Sequence, residues 1–179
     1  MVAMSVKPKT LSAQRVFFLK IVSFVKKTRG RLVLPNNRQE FREFFQNVFT
    51  KIQESRPLTP LESQVAEVIH DHPEYHELLS SKDSLGEEYH PERGETNPFL
   101  HLALHLSIRD QIRLNRPEGS LHIFEEHCRM TQDRHQTEHM FLDVLGEVLH
   151  EASRSGQSPD EKSYIQKLRS QCGRTRIRT

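Results

Sequence analysis

The chain has no Trp, only seven Gly and two Cys among its 179 residues. Each scarcity removes a class of structure. Few glycines and few β-branched runs argue against a sheet sandwich and favour helices. The two cysteines, Cys128 and Cys172, make no Cys-x-x-Cys pair and no disulfide framework, and read as free thiols in a reducing compartment. Thiolate zinc sites usually gather several cysteines, so Cys128 is set aside as a ligand. Long apolar runs are missing too. The stretch Val16 to Val25 is interrupted by Lys20 and falls short of the ~20 residues a spanning helix needs. No small-x-small cleavage site follows it, which argues against a secretory signal. GxGxxG, the P-loop, GxSxG and HExxH are all absent.

What is present is unevenly distributed charge. The net charge of +2 conceals nine Lys or Arg and no acid in residues 1–39. Residues 40–173 hold 14 basic and 24 acidic residues, a difference of −10, and the last six residues add three Arg. This division predicts a flexible basic N-terminal arm over 1–35, disordered or read from an upstream start. A helical domain then spans 36–172 and a basic tail spans 173–179. The arm's apolar centre has cationic flanks, so residues 15–31 are a candidate for weak contact with an anionic membrane surface. An extra element packed on the body is the alternative. Specific nucleic-acid binding is not expected, because the body is acidic and no recognition motif is present. A protein partner is left open.

Polar caps followed by proline mark helix starts at Thr59-Pro60, His72-Pro73, Asn97-Pro98 and Ser158-Pro159. Glu62 stands three residues after Thr59, as in a capping box. Periodicity places helices near 38–55, 60–71, 73–80, 98–115, 120–130, 132–153 and 159–171. Residues 81–96 form a polar loop. The body is therefore an all-α, single-domain helical bundle with short connections. Phe41, Phe44, Phe45, Val48, Phe49 and Ile52 form an apolar stripe on the first helix, read as core.

Three His pairs lie four residues apart: His72/His76, His101/His105 and His135/His139. Eleven histidines scattered at random would give roughly 0.7 such pairs. On a helix, i and i+4 share a face and can offer two imidazoles to one ion. At about 100° per residue, His101 and His105 fall inside the apolar sector of Leu104, Ile108 and Ile112. Phe99, Leu102, Ala103 and Leu106 make a second apolar face, so this helix is expected to be central and buried. In the 132–153 helix, Glu138 points with the apolar face and His135 sits at its edge. His139 lies further round, beside Asp143. The His72/His76 pair straddles a helix start, so ideal geometry is not assured there.

Several imidazoles and a carboxylate suit a divalent transition metal, zinc or iron. The candidate ligands are His76, His101, His105, Glu138 and His139, with His72 in reserve. An open position on such an ion could activate water for hydrolysis. Two readings need no metal. In one, a buried His/Glu hydrogen-bonded network fixes helix register in a non-catalytic interaction or structural protein. In the other, His and Glu act as acid and base in an enzyme.

The strings HPEYHELL, PERGETNPFLHLALHLSIRDQ, TEHMFLDVL and SPDEKSYIQKL together resemble the proteobacterial domain-of-unknown-function family numbered eighteen-forty-one. The resemblance runs from about Arg38 to about Leu168 and does not extend to the arm. It implies a bacterial, cytoplasmic setting and no established activity. It directs attention to His72, Pro73, Glu74, Tyr75, His76, Asn97, Pro98, Phe99, His101, His105, Glu138 and His139. Hemerythrin-like and DinB-like metal bundles are similar at the level of fold alone.

Overall fold

Seven α-helices make up the ordered body in a computed structural model that describes residues 38–81, 83–87, 89 and 97–178. They are α1 (Arg38–Gln53), α2 (Pro60–His70), α3 (His76–Ser80), α4 (Pro98–Leu114), α5 (Ser120–Thr131), α6 (Arg134–Ser155) and α7 (Glu161–Arg178). Short 3-10 turns, Pro73–Tyr75 and Asp83–Leu85, flank α3. No strand occurs among the described residues, and the domain is all-α. None of the described helices is long and apolar enough to cross a membrane. The expectations for residues 1–35 lie outside the described residues.

The helix starts follow the caps. Thr59 accepts from the Glu62 amide while the Glu62 carboxylate accepts from the Thr59 amide, a complete capping box. Asn97 caps α4 by accepting from the Leu100 amide. Two expected starts differ. His72 holds the N-cap position of the 3-10 turn without capping it, because its ring is engaged elsewhere. The last helix begins at Glu161, with Asp160 accepting from the Lys162 amide, rather than at Pro159. It also runs on to Arg178, through the segment read as a tail. Cys172 is buried in the core together with Tyr164 and Leu168 of the same helix.

Helix α4 is the axis of the domain, and its two apolar faces serve two cores. Leu104, Ile108 and Ile112 pack with Ile123, Phe141, Leu145, Leu149 and Leu168 from α5, α6 and α7. Phe99, Leu102, Ala103 and Leu106 pack with Phe45, Val48, Val65, Val68 and Leu79 from α1, α2 and α3. Each fully buried Phe or Leu contributes about 1.5–3 kcal/mol. Polar contacts lock the periphery. The Tyr164 hydroxyl donates to Gln111 Oε1 at 2.9 Å, tying α7 to α4. The buried Arg42 guanidinium donates to the carbonyls of Ser84, Leu85 and Glu87 at 2.8–3.1 Å. It lies over the rings of Tyr89 and Phe99 and thereby clamps the 83–89 segment to α1. The α4–α5 turn needs Gly119, whose φ of +92° disfavours any side chain. Between the two cores, the start of α4 meets the end of α2 and the start of α6.

Candidate metal centre

Five imidazoles converge at that junction: His72 after α2, His101 and His105 on α4, and His135 and His139 on α6. His72 and His105 have no solvent exposure, while His101, His135 and His139 are half-buried. The Nε2 atoms of His72, His101 and His105 form a triangle with sides of 3.1, 3.1 and 3.2 Å. One nitrogen from each of His72, His105, His135 and His139 lies within 4.8 Å of all the others.

Hydrogen bonds behind the rings fix their tautomers. His72 Nδ1 lies 2.8 Å from the Val68 carbonyl, which can only accept, so that nitrogen carries the proton. His105 Nδ1 lies 3.0 Å from Glu138 Oε2, also an acceptor. A neutral imidazole has a single N–H. Both Nε2 atoms therefore present lone pairs, and these face each other across 3.1 Å. His101 Nε2, if protonated, offers one hydrogen between two acceptors. His135 Nδ1 and His139 Nε2 are buried with no hydrogen-bond partner. Unpaired buried nitrogens cost about 1–3 kcal/mol each. A cation among His72, His105, His135 and His139 would meet a ring nitrogen from each of them.

Protons do not fill that role at His101 or His105 near neutral pH. Burial, reinforced by repulsion from His105 and His72, pulls His101 down to about 3. Burial also pulls His105 down to about 4, against the opposing pull of Glu138. His139 is lowered as well, by burial and by His135. Neutral imidazoles are the form a metal requires.

Glu138 is 1% exposed and stands behind the ring cluster as a hydrogen-bond acceptor. Burial alone would raise its pKa, but hydrogen bonds from His105 and Arg109 hold it at about 2. Arg109 donates to both Glu138 oxygens at 3.0–3.1 Å and also to Asp71. Arg134 approaches Glu138 Oε1 at 3.2 Å. With its oxygens occupied by His105, Arg109 and Arg134, Glu138 orients His105 rather than joining the converging nitrogens. Carboxylate–histidine pairs of this kind fix the tautomer and orientation of metal ligands.

Of the predicted ligands, His101, His105 and His139 come together, and the reserve His72 is central. His76 stands apart: its Nε2 lies 3.0 Å from the Ile69 carbonyl and its ring packs near Phe49. The pair breaks up because His76 opens α3 after a 3-10 turn, so the two residues do not share a helical face. The sequence reading left out His135, although its spacing to His139 was the available signal. It also left out Arg109, which continues the four-residue rhythm of His101 and His105. Among the described residues two Glu-x-x-His pairs, Glu67/His70 and Glu147/His150, have the spacing used in di-iron carboxylate bundles, but all four residues are exposed.

Comparison with curated proteins finds no match, and comparison with solved structures finds none either. A family model does match, over residues 37–170, a span that takes in α1 to α6, most of α7 and every histidine of the cluster. The chain belongs to the family described as Domain of unknown function (DUF1841).

Proposed function

We propose that this domain binds one divalent first-row transition-metal ion through His72, His101, His105, His135 and His139, with Glu138 as the carboxylate behind His105. The supporting observation is the tautomer conflict: two Nε2 lone pairs, fixed by hydrogen bonds on the opposite ring nitrogens, face each other at 3.1 Å. An ion converts that repulsion into two bonds and gives the orphaned nitrogens of His135 and His139 a partner. Iron and zinc both accept imidazole. Because the site joins α2, α4 and α6, metal binding is coupled to folding free energy. Hydrolysis by a metal-activated water is the reaction class open to such an ion.

The second reading, an unmetallated network in a structural or interaction protein, draws support from one feature. The Asp71–Arg109–Glu138–His105 chain is internally satisfied without any ion. The two readings separate in one experiment. A metal centre predicts that a strong chelator at neutral pH lowers the melting temperature and that one equivalent of Fe(II) or Zn(II) restores it. A bare network predicts no response to either.

A further inference from the structure

Arg109 follows His101 and His105 by the same four-residue step, so all three share one face of α4. A guanidinium has only donors and cannot ligate an ion. Arg109 instead reaches the residues beside the ligands. Its Nε and Nη2 donate to the two oxygens of Glu138 at 3.0–3.1 Å, and the same Nη2 donates to Asp71 Oδ2. Asp71 directly precedes His72 in the chain. Glu138 directly precedes His139 and accepts from His105 Nδ1. One largely buried side chain on α4 therefore holds both the end of α2 and the first turns of α6. Its two carboxylate partners adjoin or bond three of the four histidines whose nitrogens lie within 4.8 Å of one another: His72, His105 and His139.

Neighbouring charges do not join elements in this way. Arg134 reaches Glu138 Oε1 from four residues earlier on α6 itself and is exposed. Glu67 stands 4.0 Å from Arg109 Nη1 and is exposed, a setting in which an ion pair contributes little. The three-way contact matters because the metal-free site opposes its own assembly. The lone pairs of His72 and His105 face each other at 3.1 Å, and that contact pushes the end of α2 away from α4. Ligands held in place before the ion arrives lower the cost of binding it. We propose, resting on the metal centre above, that Arg109 is its positioning residue: through Asp71 and Glu138 it keeps His72, His105 and His139 where one ion can reach them.

The test measures Zn(II) affinity at pH 7.5 by competition with a chromophoric chelator. It uses the full chain and variants shown to be folded by circular dichroism at the temperature of the titration. Arg109→Ala should bind roughly 10–100-fold more weakly, the usual effect of losing a partner behind the ligands. Arg109→Lys should recover only part of that loss, because an ammonium lacks the planar fork that meets both Glu138 oxygens. Combined with Glu138→Gln, Arg109→Ala should lose less than the product of the two separate fold-changes, since both act along one path. An unaltered chain that binds no Zn(II) overturns the metal centre, and the role of Arg109 with it. Three outcomes overturn the positioning role alone. They are a folded Arg109→Ala chain that binds as tightly as the unaltered one, an Arg134→Ala chain that loses as much as Arg109→Ala, and fold-changes that simply multiply in the double variant. Should Arg109→Ala fail to fold, Asp71→Asn carries the test at a partly exposed position: weaker binding is expected, and unchanged affinity overturns the proposal.

Discussion

Glu138→Gln is the sharpest single perturbation of the domain, because it keeps the side chain's shape and removes its charge. Glu138 is 1% exposed and accepts from His105, Arg109 and Arg134. The amide retains one acceptor oxygen and turns an NH2 toward groups that can only donate. Arg109 keeps Asp71 as its remaining close partner. Hydrogen bonds to charged groups are worth about 1.5–3 kcal/mol each, and breaking a buried pair from one side costs about 3–5 kcal/mol. Arg109 retains some solvent contact, which favours the lower end, so we expect a loss of about 3 kcal/mol. For a domain of this size that corresponds to roughly 10 °C in melting temperature. Circular dichroism melts of chelator-treated protein measure it without reference to any metal. If the metal centre is correct, the same variant should bind metal roughly 10–100-fold more weakly, since the partner that fixes His105's tautomer is gone. A melting temperature within 2 °C of the unaltered chain, about the effect of a surface change, would refute the claim that Glu138 organises this junction.

Acid should destabilise the metal-free domain. Below the ordinary histidine value of 6.5, the unfolded chain takes up protons at His101 and His105, whereas the folded chain resists until about 3 and 4. Unfolding is therefore favoured increasingly as pH falls through that window. Glu138 adds a further loss as pH drops from the ordinary glutamate value of 4.5 toward its folded value of about 2. A urea midpoint unchanged between pH 7.5 and 5 would contradict this. Tyr164→Phe removes the donor to Gln111 Oε1 inside the bundle and should cost about 1–3 kcal/mol; chemical denaturation measures it, and a neutral result would show that this hydrogen bond does not help to hold α7. Thr59→Ala removes half of the capping box on α2 and should cost about 1 kcal/mol, read by the same method.

The fold was largely legible because its signals are local. Proline after a polar cap, at Thr59 and Asn97, fixes where helices start whatever packs on them later. The two apolar faces of α4 announced a central helix, since no surface helix can bury both. The site was legible only in part, for identifiable physical reasons. The face of α6 was inferred from Phe141 to Leu149, which contact the α4–α5–α7 core. Its first turns, with His135 and His139, meet a different neighbour, the end of α2. A face defined at one end of a 22-residue helix does not transfer to the other. Glu138 was visible as an inward carboxylate, but its role depends on Arg109, which reaches it from another helix. His72 and His76 exchanged importance because a 3-10 turn, invisible to i,i+4 counting, separates their directions.

Metal content per chain tests the central claim most directly. We would purify the full chain and its His105→Ala, His135→Ala and His76→Ala variants, supply Fe(II) or Zn(II), remove loose ions by dialysis and measure bound metal by elemental analysis. The account predicts close to one ion per chain in the unaltered protein and in His76→Ala, with a large loss in His105→Ala and His135→Ala. No bound metal in the unaltered chain, or a stoichiometry indifferent to His105 and His135, would contradict it and leave the histidines as a hydrogen-bonded network.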